Sequence, residues 1–268
     1  MAGLFQVLYG TKDGTFRKAE VLKGTDGKPL IIPAKGEGEV TEKICTRPFA
    51  ADWNGDGKLD LVVGNFSGSL YLFVGEGKGK FEPRPTRMTD KNGKALIVPG
   101  AHSDPFVVDW DGDGALDLVS GSNDGGVYWA RNTAGKGKPP VMEAFKQLVK
   151  PTARPGSDNP LVSEESLKAP TSASRVWVAD INGDGKLDLL VGDTVSLLSP
   201  AKGVKAAELV KRLGEWTKKF EDTRKELANV KDEKERETAS KRYVELYQER
   251  SKIVKEEMAG YVWLYAQK

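Results

Sequence analysis

Apolar residues fall in short, dense blocks along this chain, and the blocks recur in a fixed order. "RPFAAD" (47–52), "DPFVVD" (104–109) and "RVWVAD" (175–180) each lead into an acidic, glycine-rich turn, and the turns lead into "LDLVVG", "LDLVSG" and "LDLLVG". The run after each turn is nearly all apolar, which predicts a strand buried on both faces. Aromatic blocks follow in step: "GSLYLFVG" (68–75), "GGVYWARN" (125–132) and "GYVWLYAQ" (260–267), with "GLFQVLYG" (3–10) as a fourth copy near the start. "GKPLIIP" (27–33) and "GKALIVP" (93–99) also match. One unit therefore reads as short apolar strand, acidic turn, buried strand, glycine turn, aromatic strand and a variable outer strand. That is a four-stranded antiparallel meander of the length of a propeller blade.

The expected strands number two in an N-terminal remnant (4–9 and 15–22), four in each of two blades and three in the last. Propellers typically close with about four to eight blades. The predicted fold is accordingly all-β, a partial β-propeller of four-stranded antiparallel blades. An open arc exposes apolar faces, so the expectation is end-to-end self-association or N-terminal blades missing from the chain shown.

One segment breaks the pattern. From Val204 to Met258 there is no proline and only one glycine, Gly214, and charges are dense. Leu209, Leu213, Trp216, Phe220, Leu227 and Val230 form a helical seam, and Ala239, Tyr243, Leu246 and Ile253 form a second seam out of phase with it. A single helix would carry the chain roughly 80 Å away at about 1.5 Å per residue, yet the aromatic strand resumes at Tyr261. The segment must double back. The predicted organisation is blades over 1–202, continued by 259–268, with an α-helical hairpin over 203–258 inserted in the last blade and turning near Asn229–Glu235.

The acidic turns carry the candidate chemistry. Counting from the first Asp, oxygen-bearing side chains lie at positions 1, 3, 5 and 9, glycine at 4 and 6, and position 7 offers its carbonyl. The first loop supplies Asp52, Asn54, Asp56, the Lys58 carbonyl and Asp60. The second supplies Asp109, Asp111, Asp113, the Ala115 carbonyl and Asp117. The third supplies Asp180, Asn182, Asp184, the Lys186 carbonyl and Asp188. Five oxygen donors on a flexible loop suit Ca²⁺, whereas Zn²⁺ prefers His or Cys and Mg²⁺ a tighter octahedron. An EF-hand would need a Glu at position 12 and a following helix. Position 12 is Val63, Ser120 or Val191, and β-prone sequence follows. Three structural Ca²⁺ sites are expected, with the second loop the tightest because it carries four carboxylates against three.

These loops, each followed by Leu-Asp-Leu and a step into glycine (Val63-Gly64, Ser120-Gly121, Val191-Gly192), resemble the FG-GAP/VCBS repeats of integrin-α-type β-propellers. The resemblance spans 1–202 and 260–268 and implies Ca²⁺ in the hairpin loop of each blade. The Phe-Gly dipeptide is replaced by Val-Gly or Ser-Gly, and the helical segment has no counterpart in the minimal repeat.

Composition narrows the function. A net charge of +2 gives no reason to expect nucleic acid, and no apolar run is long enough for membrane insertion. Cys45 is the single cysteine, so no intrachain disulfide forms. His102, in "GAHSDPF", is the single histidine and reads as a turn or packing residue rather than a catalyst, while Trp53 and Trp110 read as packing between blades. No loop face gathers two acid/base residues, so no catalytic residue is assigned. The expected function is a non-enzymatic calcium-binding adhesion or ligand-binding scaffold, with a protein or glycan as partner. The alternatives are a polysaccharide lyase-like enzyme or its accessory propeller domain, and partner docking through the hairpin. No signal peptide is visible, but weak calcium sites need the calcium of an extracellular, cell-surface or periplasmic setting.

Overall fold

The computed structural model describes residues 4–33, 37–152 and 163–267. Residues 1–3 and 268, at the ends of the expected repeat region, lie outside the described residues. The chain is mostly β, with antiparallel sheets and two helices, and divides into two compact units. The first holds 1–151, 169–193 and 262–268; the second holds 152–168 and 194–261.

In the first unit, β1 (Gln6–Val7) pairs with β2 (Glu20–Val21). Next come β3 (Arg47–Ala51), β4 (Asp60–Gly64), β5 (Leu70–Phe73), a short hairpin of β6 (Gly75–Gly77) and β7 (Lys80–Phe81), and β8 (Thr86–Arg87). Strands β3-β4-β5-β8 form one four-stranded sheet. The second sheet repeats it with β9 (Asp104–Val108), β10 (Asp117–Gly121), β11 (Val127–Ala130) and β12 (Lys146–Val149). The third begins with β13 (Arg175–Ala179) and β14 (Asp188–Gly192).

Here the chain leaves for the second unit: β15 (Val195–Pro200), α1 (Ala206–Asn229), α2 (Glu233–Arg250) and β16 (Val254–Ala259). It returns as β17 (Val262–Tyr265), which pairs with β14 in the register Gly192↔Val262 to Leu189↔Tyr265. The visit to the second unit thus replaces the short turn that joins β4 to β5 and β10 to β11.

The strand after each acidic turn is deeply placed, as its unbroken apolar run requires. Every residue of β4 and β10 is buried, and most of β14. Val62 and Leu70 of the first sheet pack with Val107, Leu118 and Tyr128 of the second, and buried Trp53 joins them. Val119, Val127 and Trp129 of the second sheet pack with Val178, Leu189 and Val191 of the third, with Trp110 at the edge. Both loop tryptophans therefore serve packing. Phe49, Phe106 and Trp177 continue this order along the first strands, with ring centroids 4.7 and 5.4 Å apart. The outer side of the first sheet is covered by Phe5, Leu30, Ile32 and Phe81.

The second unit corrects the expected boundary of the insertion. Helical sequence is expected over 203–258, but residues 254–259 are a strand, and the segment of this unit that carries the helices starts at 194. The cause is packing: Leu198 of β15 and Val254 of β16 bury Leu209 and Leu213 of α1, so a two-stranded ribbon closes the base of the hairpin. The helices turn within the expected stretch. Asp232 caps α2 by accepting from the backbone N–H of Lys234 and Glu235, both at 3.0 Å. Trp216, Phe220 and Tyr243 stack across the seam, and Trp216 Nε1 donates to the Leu246 carbonyl at 2.6 Å.

Candidate metal-binding loops

Each acidic loop joins the first two strands of its sheet, closed by the register pairs Ala51↔Asp60, Val108↔Asp117 and Ala179↔Asp188. Its glycines at positions 4 and 6 have φ between 75° and 87°, a left-handed backbone that glycine adopts without strain. That curl turns the backbone N–H groups inward onto the side-chain oxygens. Asp52 accepts from the N–H of Asp56 (3.0 Å) and Gly57 (2.9 Å); Asp180 accepts from Gly183 (2.7 Å), Asp184 (3.1 Å) and Gly185 (2.9 Å). Asn54 and Asn182 accept from the position 5 N–H at 2.9 and 2.8 Å. Asp56, Asp113 and Asp184 accept from the position 7 N–H, each at 2.9 Å. Lys58 and Lys186 at position 7 are exposed, and Ala115 is buried.

Position 9 differs from the turn positions in its burial. Asp60, Asp117 and Asp188 are fully buried. Asp60 accepts from the N–H of Trp53 (3.1 Å) and Gly75 (2.6 Å), and Asp117 from Trp110 (3.3 Å) and Asn132 (2.7 Å). Asp188 accepts from Ile181 (3.1 Å) and Gln267 (3.1 Å). Each carboxylate thus ties the start of the loop to the end of the third strand. Burial, followed by smaller opposing hydrogen bonds, pushes the Asp117 carboxyl up to about 6. A nearby cation would relieve that cost.

In the second loop the structure brings Asp109, Asp111 and Asp113 together, with carboxylate oxygens all within 4.8 Å of one another. Asp109 Oδ2 accepts from the Gly114 N–H at 2.8 Å, while its Oδ1 is buried and has no hydrogen-bond partner among the described residues. A buried, unpaired oxygen within a cluster of three carboxylates fits a hard divalent cation, so the residues present suit Ca²⁺.

Sequence reading missed Arg131 beside the second loop, and Ser103, Ser174 and Glu42 at the opposite ends of the strands. Arg131 lies on the second loop, its Nε 2.5 Å from Asp111 and its NH2 3.0 Å from Asp113. The Asp111 carboxylate, with help from Asp113, holds its guanidinium pKa above the ordinary range. Buried Ser103 and Ser174 precede the first strands of the second and third sheets. Ser103 Oγ accepts from the Asn65 N–H and donates to the Ser69 carbonyl, both at 2.8 Å; Ser174 does the same with Ser122 and Gly126, at 2.8 Å each. Glu42 gathers Asn65, Ser67, Ser69, Tyr71 and Arg87 around one carboxylate. His102 packs its ring on Phe66 at 4.1 Å; burial, then the charges of Arg47 and Arg175, hold its pKa down.

Two four-stranded antiparallel sheets and a three-stranded one, each with an Asp-rich loop between its first two strands, define a repeat protein with one loop type used three times. The FG-GAP-like repeat model matches residues 52–102 and 109–191, together half of the sequence, and the chain belongs to that family. No curated protein matches it.

Proposed function

We propose that this chain is a calcium-stabilised β-propeller module acting as a non-enzymatic adhesion or ligand-binding scaffold outside the cytoplasm, with the helical unit as an appended module. The supporting observation is the second loop, where three carboxylates converge and one buried oxygen has no partner among the described residues. Donor sets at equivalent positions in the first and third loops extend the reading to three sites. Calcium would supply a fixed positive charge cross-linking each turn; the chain's own part is to hold the oxygens by the backbone N–H bonds described above. No helix among the described residues is long and apolar enough to cross a membrane.

One site filled at about 100 times its dissociation constant adds about 2.7 kcal/mol to stability. Thermal melting in chelator, in calcium and in magnesium tests the reading. A calcium-specific rise of several degrees is expected. Superimposable melts in all three conditions would refute it.

A further inference from the structure

The three repeats act as an internal comparison for the residue that follows the third strand of each sheet. The N–H groups of Gly75, Asn132 and Gln267 make the same bond to the position 9 carboxylate. The residues just before them, Val74, Arg131 and Ala266, are therefore equivalent. Only the second repeat places a cation there. It is also the only repeat with Asp rather than Asn at position 3, and the only one without Lys at position 7. Arg131 reaches that extra carboxylate, Asp111, at 2.5 Å, and reaches Asp113 at 3.0 Å. In the first loop the corresponding charge is local: Lys58 pairs with Asp56 at 3.4 Å.

We propose that Arg131 is a built-in counter-ion of the second loop, so that calcium enters this loop only by displacing the guanidinium. The inference rests on the calcium reading and concerns its regulation. A count of carboxylates ranks the second loop first in affinity; Arg131 reverses the rank, because two of the oxygens that would face the ion already face a cation. Arg131 is anchored just past the end of β11 and needs only a side-chain rotation to withdraw. Its side chain is about two-fifths exposed although Nε is buried against Asp111, so salt screens the exposed Asp113 contact first and displacement stays within reach of high calcium.

The test is calcium titration of the whole chain by calorimetry and native mass spectrometry, comparing wild type with Arg131→Val and Arg131→Ala. These residues already stand at the equivalent positions 74 and 266, which protects the fold. Wild type is expected to fill two sites together and a third at least tenfold more weakly. The variants are expected to fill three together, and Arg131→Val combined with Asp113→Asn to lose the gained ion. In chelator, both single variants should melt below wild type and recover with calcium, because Asp111 and Asp113 then repel without a counter-charge.

Equal affinity at all three loops in wild type, or no gain in the variants, overturns the inference and leaves the calcium reading standing. No calcium at the first and third loops in any protein overturns the calcium reading itself; the melts in chelator then still decide whether Arg131 is the counter-ion, an unchanged melt ruling that out.

Discussion

The second sheet is packed on both faces and the third on one, and the same residue type shows the difference. Gly64 and Gly121 close the buried strands β4 and β10. A Cβ on either would fall inside the backbone carbonyl of the serine that opens the next sheet, Ser103 or Ser174. Gly192 closes β14 in the same way, yet no atom of the described residues lies within 4 Å of its would-be Cβ. On the same side of the third sheet Trp177, Val262 and Leu264 are 61%, 73% and 55% exposed. Their counterparts on the second sheet, Phe106, Val127 and Trp129, are packed against the third. The glycine after the buried strand therefore has a packing reason in two repeats, while among the described residues none is seen in the third, which keeps the apolar face.

The sharpest test of this contrast is a pair of substitutions. Gly121→Ala must displace backbone rather than a flexible side chain, so its cost should reach or exceed the top of the ~1–3 kcal/mol range for overpacking. Gly192→Ala should stay within about 0.5 kcal/mol, as an unobstructed surface change does. Urea denaturation of both would show whether the two glycines differ; equal losses would mean that Gly192 is covered in solution.

A smaller effect is expected at the serine latch between the second and third sheets. Ser174→Ala leaves the buried N–H of Ser122 unpaired, a loss of about 1–3 kcal/mol. Thermal melting should register it, and an unchanged midpoint would mean that water replaces the hydroxyl.

Glu42, which precedes the first sheet and bonds to it, gives a pH signature. Burial alone would raise its carboxyl, but the hydrogen bonds from Ser67, Ser69 and Tyr71 and the Arg87 charge together hold it below its ordinary value of 4.5. A depressed carboxyl contributes stability above its unfolded pKa and loses it as pH falls through the folded one. Glu42→Gln should therefore cost about 1–2 kcal/mol at neutral pH and progressively less below pH ~4.5. A pH-independent difference would assign the effect to packing.

The least effect on the first unit is expected from removing the second. Gly192 and Val262 are paired, and Asp193 accepts from the N–H of Thr171 at 2.8 Å. Replacing 194–261 by a two- to four-residue turn should leave the first unit's melting midpoint within a few degrees. An insoluble product would show that the helical unit covers sheet surface. The cut has to be made there rather than at 204–258, which would strand Leu198 without α1 over it.

Much of this was legible in the chain. The first strands β3, β9 and β13 lie within one residue of the blocks ending in Asp52, Asp109 and Asp180, because alternation and burial there are set locally and repeated three times. The resumption at β17 was readable because "VWLY" keeps the aromatic pattern across a long interruption. The ribbon β15–β16 was not: "VKEEMA" is charged and continues a helical stretch, and only its non-local pairing with Val195–Pro200 makes it a strand. The loop oxygens could be read by spacing alone. Arg131 could not, since its relation to Asp111 appears only when the third strand is laid beside the loop. Position 9 shows a further limit, because composition does not tell a turn oxygen from a buried carboxylate tying two strands by their N–H groups.

Counting calcium on metal-stripped protein by native mass spectrometry, with the free ion raised towards the millimolar range of extracellular modules (about 0.1–1 mM), is the most direct measurement of all. Two ions arriving together, followed by a third only at higher concentration, is the predicted result. An unchanged mass across that range, with magnesium and calcium indistinguishable, would contradict a calcium-stabilised repeat.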